Sequence, residues 1–448
     1  MFFAILTRCI MPQAEEGRIP EIPAGQLLSN PALLRWNPAL LLAFRLVFVY
    51  EILYSFPFPF NLVPGLDKAF AWYTTLFAAL TTWTAAHVLH LSQPVVWTPV
   101  LSGDSLFAWV ENLVKLMLGA VAAMVWTLLD RKRPHYRSLQ EWLWLYVRLV
   151  LGTAMLGYGA IKIIKVQFPD MFLWRLLSSY GESSPGGLLW SFMGYSKIYN
   201  LFTGLVEIAG GTLLFIPRLA TLGAVISIGA MANVLMLNLG YDVNVKLYSL
   251  NLLMMGVYLL APEVRRLLNV FVLNRTAAPV EHAPLFRKKG LSTGMLALQL
   301  GLLVAIGGSE LYQSHQRYTH AGDGAPPPPY FGVYAVDQFI VDGQPHPAVF
   351  TDASRWRRVT FERFNLMAVF PAEGPVVRYK TKFDSSGRRL ELNKIVPGQW
   401  KAEFELEQRS PTLLTLRGQM DGRQIEADLR KVEVKSFPLY ENGFHWIQ

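Results

Sequence analysis

The fold of this chain is decided by one long apolar run in its second half. Residues 198–261 read IYNLFTGLVEIAGGTLLFIPRLATLGAVISIGAMANVLMLNLGYDVNVKLYSLNLLMMGVYLLA. A bilayer crossing takes about 20 predominantly apolar residues, so this run predicts three successive membrane helices. Glu207 lies in the middle of the first one, where a charged group costs about 2.5 to 3.5 kcal/mol on insertion scales. We therefore expect Glu207 to face the protein interior and to belong to a functional site.

The composition of the whole chain is that of a membrane protein. Of its 448 residues, 52% are hydrophobic and only 16% are charged, whereas about 25% of the residues in a typical soluble protein are charged. The net charge of +9 arises from short basic clusters between apolar runs and from a terminal soluble segment. We expect the lipid bilayer, and no nucleic acid, as the partner. The single cysteine, Cys9, excludes an intrachain disulfide and a cysteine-based metal cluster.

Hydropathy predicts an α-helical polytopic membrane bundle of about eight transmembrane helices, followed by a small antiparallel β domain. The apolar segments are 38–57, 70–91, 106–129, 143–164, 198–216, 219–240, 246–261 and 291–311. Residues 165–197, which are interrupted by prolines and glycines, predict a re-entrant or interfacial segment. The predicted domains are an N-terminal arm (1–37), helices one to three (38–140), a four-helix core (141–262), a basic loop with the last helix (263–312), a proline-rich linker (313–329) and the β domain (330–448).

The distribution of Lys and Arg predicts the orientation in the membrane. The basic residues of three loops are Arg131, Lys132, Arg133, Arg137, Arg218, Arg265, Arg266, Arg275, Arg287, Lys288 and Lys289. Loops rich in Lys and Arg stay in the cytoplasm. With eight crossings of a bacterial inner membrane, both termini and the β domain are then predicted to be extracytoplasmic.

The C-terminal domain follows four consecutive prolines at 326–329, which predict a semi-rigid spacer. Apolar and polar residues alternate with period two in several short segments, and Asp-Gly or Ser-Gly turns at 342–343, 386–387 and 421–422 separate them. Seven or eight strands in a meander predict a lipocalin-like barrel or half-barrel.

Polar residues of the predicted helices define the candidate site. Tyr158, Lys162 and Lys165 are spaced to share one face of the fourth helix. On the fifth helix, Glu207 lies in a stripe of small residues and needs a cation, for which Lys162, Arg148 and Lys246 are the options. The simpler alternatives are lysines that snorkel to the interface and a buried ion pair that only fixes helix packing.

A second polar group surrounds the turn after the sixth helix. Asn238, Asp242 and Lys246 are spaced by four residues, and we expect them to face an outer vestibule or to form a salt bridge that stabilises the turn. Asp104 is expected to be the N-cap of the third helix. His87 and His90 are three residues apart, but without further ligands they favour an interfacial position, and we predict no metal site.

The central segment resembles the DoxX family of bacterial membrane proteins. The resemblance rests on GYGAIK (157–162), FTGLVEIAGG (202–211), RLATLGAV (218–225) and NLGYDVNVKLYS (238–249). It implies a four-helix core and an association with quinone-linked thiosulfate oxidation or membrane redox complexes. The extra helices and the β domain depart from the family pattern. The N-terminal helices and the overall order are more distantly similar to the HTTM domain of vitamin K-dependent carboxylases.

These observations lead to three functional hypotheses. In the first, Lys162, Glu207, Asp242 and Lys246, with Tyr158 and Asn238, form an outward-facing pocket for a quinone-like or small anionic ligand. The protein would then be a subunit that works with other membrane or periplasmic redox proteins, and quinone is its candidate cofactor. The second hypothesis is a non-enzymatic envelope scaffold whose β domain binds a partner or ligand. The third is a carboxylase-like, lysine-assisted enzyme. Motifs of classical hydrolases, kinases and Rossmann enzymes are absent from the sequence.

Overall fold

The computed structural model describes residues 35–63, 65–97, 103–277, 285–286, 288–349, 351–395, 400–441, 443, 445 and 447. Most of the predicted N-terminal arm therefore lies outside the described residues. The chain divides into two compact units. The helical unit comprises Met1–Ile163 and Leu201–Tyr312, and the β unit comprises Ile164–Asn200 and Gln313–Gln448. Residues 164–200, which the sequence assigned to the four-helix core, thus group with the β domain.

Long apolar helices form the helical unit, and short helices accompany the strands of the β unit. The helices are α1 Pro38–Ser55, α2 Ala71–His87, α3 Leu106–Leu129, α4 Arg137–Ile163, α5 Leu173–Leu177, α6 Pro185–Tyr195, α7 Lys197–Phe215, α8 Ala220–Gly240, α9 Lys246–Leu260, α10 Val264–Phe271, α11 Lys289–Ala321 and α12 Pro438–Glu441. Among the described residues, 7 helical segments are long and apolar enough to cross a bilayer. They are Pro38–Leu62, Leu106–Leu129, Arg137–Ile163, Lys197–Phe215, Pro217–Gly240, Lys246–Phe271 and Lys289–Ala321. The predicted bundle of a multi-pass membrane protein is confirmed.

Helix α2 differs from the other apolar helices, because the arrangement of α1 and α3, which precede and follow it, does not allow α2 to cross the membrane once. Near the start of α1, Arg45 Nη2 donates to the carbonyl of Asp130, directly after α3 (2.9 Å). Further along α1, the hydroxyl of Tyr50 donates to Asn112, in the first half of α3 (2.9 Å). The two helices are therefore antiparallel, so α1 ends and α3 begins at the same end of the bundle. A helix between them cannot cross the membrane once, and α2 packs its Tyr73 and Phe77 beside the first turns of α3.

The path of the chain through the helical unit places its two ends on opposite sides. The amide of Trp36 donates to the carbonyl of Pro134 (2.9 Å), so the first described residues lie beside the α3–α4 loop. Helix α11 runs parallel to α4, because Gln299 meets Arg148 (3.3 Å) and Glu310 packs on Gly157, further along both helices. Within the described residues, the start of α1 and the end of α11 therefore lie at opposite ends of the helical unit. The expectation that both termini are extracytoplasmic stays a prediction.

The basic loops gather at one end of the helical unit. The indole of Trp144 donates to the carbonyl of Leu259 (3.1 Å), Arg148 Nε donates to the carbonyl of Leu214 (2.8 Å), and the rings of Trp142 and Phe286 are in edge contact at 5.8 Å. These contacts join the start of α4 to the ends of α7 and α9 and to the start of α11. We call this the basic end and define it as residues 130–137, Arg218, 263–277 and 288–289. Arg287 of the predicted cluster lies outside the described residues.

Two buried arginines stabilise helix ends within the bundle. Arg45 donates to the Asp130 carbonyl that follows α3 and also to the hydroxyls of Thr127 (2.8 Å) and Tyr136 (2.9 Å). Arg148 donates to the carbonyl of Leu214, in the last turn of α7. The last carbonyls of a helix have no partner within the helix and carry partial negative charge. Guanidinium groups at these positions therefore satisfy exposed acceptors where water is scarce.

The β unit contains a closed antiparallel barrel, so the predicted fold class is confirmed in both parts. Its strands are β1 Gly332–Val341, β2 Gln344–Pro345, β3 Trp356–Glu362, β4 Leu366–Pro371, β5 Val377–Phe383, β6 Arg389–Lys394, β7 Lys401–Ser410, β8 Leu413–Met420 and β9 Arg423–Val432. The strand order is β2-β1-β3-β4-β5-β6-β7-β8-β9, and an additional β1–β9 pairing closes the barrel. The short β2 pairs only with the end of β1.

Turn chemistry and alternation explain the barrel. Asp342-Gly343 and Asp421-Gly422 have φ values of 48° and 76° and of 52° and 78°, which a tight hairpin between twisted strands requires. Inward-facing side chains of the strands fill the interior and include Phe339, Trp356, Phe361, Met367 and Phe404.

Polar contacts fix two loops of the β unit. Glu362 is buried and accepts the amides of Leu173 (2.9 Å) and Trp174 (2.7 Å), at the start of α5. Burial raises the pKa of this carboxyl above its ordinary value, although these hydrogen bonds oppose the change. In the loop before β3, the hydroxyl of Ser354 and the ring of His346 lower the pKa of Asp352 to about 2.

Candidate functional site

Glu207 and Lys162 form an ion pair in the interior of the helical unit. Lys162 Nζ contacts Glu207 Oε1, and both residues are nearly inaccessible, with 5% and 2% exposure. Lys162 is therefore the partner of Glu207. Arg148, the second option, instead donates hydrogen bonds to the carbonyl of Leu214 and to the side chain of Gln299.

Glycines bring the two helices that carry this pair into contact. A Cβ atom on Gly159 would lie 2.8 Å from the carbonyl oxygen of Gly204, and one on Gly204 would lie 2.9 Å from that of Gly159. A Cβ atom on Gly211 would lie 2.9 Å from the carbonyl oxygen of Gly152. Small residues that allow backbones to approach are typical of membrane helix interfaces. The short distance between α4 and α7 in turn lets Lys162 reach Glu207.

Lys165 does not share the helix face of Lys162. Helix α4 ends at Ile163, and Lys165 has a φ of 61°, so its side chain leaves the predicted direction. It pairs with Asp170 inside the β unit. The one-face prediction for the three residues fails here because it assumed a helix that ran one turn further.

Asp242 and Lys246 form a salt bridge at the α8–α9 turn, together with Asp104. Lys246 Nζ lies 2.7 Å from Asp242 Oδ1 and 3.8 Å from Asp104 Oδ2. Asp104 also accepts the amides of Lys246 (2.8 Å) and Leu247 (2.9 Å) and so caps α9, whereas Ser105 is the N-cap of α3. The predicted role of Asp104 at α3 is therefore wrong. Asn238 donates to the hydroxyl of Ser249 (3.0 Å) and links α8 to α9.

A cavity of about 330 Å³ lies near this turn, toward the end of the bundle opposite the basic end. Its lining comes from α1, α3, α4 and α9 and from the turns before α3 and α9. The residues are Tyr54, Gly103, Ala108, Glu111, Asn112, Lys115, Tyr158, Val245, Leu247 and Tyr248. The volume is at the lower end of the range of about 300 to 1,000 Å³ that is common for small-molecule sites.

Tyrosine hydroxyls are the main polar groups of the cavity. Those of Tyr54, Tyr158 and Tyr248 have no hydrogen-bond partner within the described part of the chain, and the rings of Tyr158 and Tyr248 are 5.9 Å apart. Each hydroxyl can both donate and accept a hydrogen bond.

The charged groups near the cavity neutralise one another. Lys115 Nζ lies 2.9 Å from Glu111 Oε1, one turn away on α3, and 5.7 Å from the ring centroid of Tyr54. Lys162 and Lys246 are also paired with carboxylates. The cavity therefore presents hydroxyl, amide and aromatic groups around an apolar space. Each lysine that the sequence analysis selected is paired with a carboxylate.

The structure brings together only part of the predicted site. Tyr158 lines the cavity, Lys162 and Glu207 pair beside α4, and Asp242, Lys246 and Asn238 stabilise the α8–α9 turn. Sequence reasoning missed Tyr54, Glu111, Asn112, Lys115 and Tyr248. The signal for Glu111 and Lys115 was available, because two charged residues four apart inside an apolar segment form a pair on one helix face.

Another missed residue is Glu51 of α1, which is 5% exposed. Its Oε2 atom has no hydrogen-bond partner, and the same is true of the buried hydroxyl of Tyr258 on α9. Of the paired histidines, His87 bonds the carbonyl of Trp83 (3.0 Å) in its own helix. Within the described residues, no group of three or more His, Cys, Asp or Glu residues could hold a metal ion.

Comparison with known proteins gives one informative relative. No family model matches the chain, and no solved structure matches it significantly, so the resemblance to DoxX proteins stays a prediction. The protein described as "Uncharacterized protein YwoB" of Bacillus subtilis is 34% identical over 124 residues, which are 28% of this chain and 79% of that protein. The chain therefore belongs to the same family as YwoB.

Proposed function

We propose that the helical unit binds a small, uncharged, quinone-like molecule in the tyrosine-lined cavity. The observation that carries this proposal is the set of free hydroxyls on Tyr54, Tyr158 and Tyr248 around an apolar space. Quinones present a flat ring and carbonyl acceptors. Aromatic walls with a few placed donors are the usual means of binding such a molecule.

The charge balance favours a neutral ligand over the small anion considered from the sequence. Lys115, Lys162 and Lys246 each lie against a carboxylate, so an anion would have to compete with Glu111, Glu207 or Asp242. For the buried Glu207, displacement from its cation leaves an uncompensated charge and costs several kcal/mol. A neutral ring displaces no ion partner. The same pairing leaves neither Lys162 nor Lys246 as an unpaired amine for carboxylase-like chemistry, which we do not propose.

We further propose that the chain resides in a bacterial inner membrane with its basic end in the cytoplasm. Lys and Arg concentrate at that end, and cytoplasmic loops carry such an excess. The cavity then belongs to the outer half of the bundle. The β unit follows the last span and is extracytoplasmic, whereas Trp36 is cytoplasmic. Together with the DoxX resemblance, this supports a subunit that works with membrane or periplasmic redox proteins.

The test is identification of the ligand in purified protein. The full-length chain is purified from a bacterial membrane in mild detergent, and bound small molecules are extracted and identified by mass spectrometry. We expect a molar ratio of quinone to protein that approaches one. The double variant Tyr158→Phe with Tyr248→Phe should lose it, because both rings stay while both donors are removed.

Tyr312→Phe is the matched control, because Tyr312 is 65% exposed on α11 and does not line the cavity. It should retain the ligand in full. Purified wild-type protein without quinone, or equal retention in the double variant, would remove the proposal.

A scaffold is the second candidate function, and the Lys162–Glu207 pair favours it. This pair and the glycine contacts between α4 and α7 explain the buried charges as packing devices without any ligand. A neutral pair can replace a buried ion pair with little loss of stability. Two double variants are tested for complementation of a strain that lacks the protein: Lys162→Met with Glu207→Gln, and Tyr158→Phe with Tyr248→Phe. If both restore the wild-type phenotype, a scaffold is the better explanation.

A further inference from the structure

Helix α10 combines exposed apolar and basic side chains at the basic end. It continues the α9 span through Ala261–Glu263 and reads VRRLLNVF. Just where it ends, Phe271 is 80% exposed and Val272 is 69% exposed. Arg265 and Arg275, on either side of these residues, are also exposed. Exposed aromatic and basic groups at the end of a span are expected where a chain lies in the interface of a bilayer.

Among the described residues, the basic end has two acidic residues, and both are engaged. Glu263 pairs with Arg266 (3.2 Å), and Asp130 Oδ2 accepts the hydroxyl of Tyr136 (2.8 Å). In contrast, Arg265, Arg275 and Lys288 form no salt bridge within the described residues. These three cations belong to the segment from the end of α9 to the start of α11, and the α3–α4 and α7–α8 loops place further basic residues at the same end of the bundle.

We propose that the basic end binds the phosphate-bearing headgroups of anionic phospholipids. Unpaired guanidinium and ammonium groups make charge-assisted hydrogen bonds to phosphate oxygens. Phe271 and Val272 insert beside them among the acyl chains, which places the cations at the depth of the headgroups. Clusters of Lys and Arg next to a membrane span are recognised by acidic lipids through the negative potential of the leaflet. This inference does not depend on the ligand of the cavity.

The mixture of apolar and cationic side chains selects a lipid over a soluble phosphate. A free phosphate ion would use the cations and leave Phe271 and Val272 in water. A phospholipid satisfies both groups in one molecule. Lipids without net charge would cover the apolar side chains but would leave the cations without partners.

The test compares lipid binding by the full-length protein and by two matched triple variants. Native mass spectrometry counts phosphatidylglycerol or phosphatidylcholine bound during titration in detergent. The first variant, Arg265→Gln with Arg275→Gln and Lys288→Gln, removes three cations of the basic end. The control, Arg357→Gln with Lys382→Gln and Arg423→Gln, removes three exposed cations of the barrel.

We expect the first variant to bind phosphatidylglycerol at least about tenfold more weakly, with phosphatidylcholine binding unchanged and the control like wild type. Equal loss in the control, an unchanged first variant, or equal binding of both lipids would overturn the proposal. The proposal would also be overturned if inorganic phosphate alone stabilised the protein as much as phosphatidylglycerol does.

A second measurement needs no variant and so does not depend on variant folding. Photoactivatable phosphatidylglycerol should label residues 264–275 of the wild-type protein, and unlabelled phosphatidylglycerol should compete. Labelling confined to other spans would contradict the proposed site.

Discussion

Removing one member of the Lys162–Glu207 pair should destabilise the protein far more than removing both. Glu207 Oε2 has no hydrogen-bond partner, so Lys162 is the group that holds this carboxylate. In the Lys162→Met variant, the Glu207 carboxylate remains buried but no longer has a cation beside it. Breaking a buried pair in this way costs about 3 to 5 kcal/mol. Glu207→Gln leaves an ammonium group in the same position and should cost a similar amount.

The double variant should recover most of this loss, because neither charge remains. We expect its free energy of unfolding to lie within about 1 kcal/mol of the wild-type value, since well-packed neutral residues often replace buried ion pairs without loss of stability. The coupling energy between the two positions is then about 5 kcal/mol or more, which exceeds the value of about 0.6 kcal/mol that is typical of side-chain hydrogen bonds between membrane helices.

The assay is equilibrium unfolding of the purified chain as the fraction of a denaturing detergent is raised. Glu111→Gln with Lys115→Met is the control cycle, because that pair is more exposed, at 27% and 12%, and should couple more weakly than Lys162 and Glu207. Two outcomes would contradict this role of the ion pair. One is a double variant whose loss of stability equals the sum of the two single losses, and the other is a pair of single variants that each lie within about 1 kcal/mol of wild type.

Three further outcomes follow from other contacts. Gly204→Ala should destabilise the helical unit by about 1 to 3 kcal/mol, because its Cβ would lie 2.9 Å from the carbonyl oxygen of Gly159; an unchanged unfolding midpoint would contradict this. Asp352 has a folded pKa of about 2 against about 3.9 when unfolded. The stability that this carboxylate gains from Ser354 and His346 is thus present above about pH 4 and is lost as the pH falls toward 2. The difference in melting temperature between wild type and Asp352→Asn should shrink over that interval, and a constant difference would count against the assignment. Glu362→Ala should accelerate hydrogen exchange of the two amides at the start of α5, and unchanged exchange would exclude the carboxylate as their acceptor.

Much of the architecture could be predicted because it depends on local patterns. Apolar length predicted the spans, and period-two alternation with Asp-Gly turns predicted the barrel, including the hairpin at Asp421-Gly422. The pairing of Lys162 with Glu207 was among the predicted options, because a charge inside a bilayer needs a compensating partner. Each of these inferences uses residues that are neighbours in sequence or on one helix face.

The rest depends on tertiary contacts that no single segment contains. Helix α2 is shorter and less apolar than α3, with five threonines among its 17 residues, but the antiparallel packing of α1 and α3 is what shows that it does not cross. The cavity collects Tyr54, Tyr158 and Tyr248 from three helices separated by about a hundred residues each. A tyrosine in an apolar segment is ordinary, so the meeting of the three becomes visible only when the helices are packed.

The tyrosine-lined cavity, rather than the pair of buried charges, is the proposed ligand site. The most direct test is a cryo-electron microscopy map of the protein in native lipid. We expect flat, non-protein density within hydrogen-bond distance of the Tyr158 and Tyr248 hydroxyls, with the Lys162–Glu207 pair intact. Density that separates Lys162 from Glu207, or a cavity that contains only an acyl chain, would contradict it.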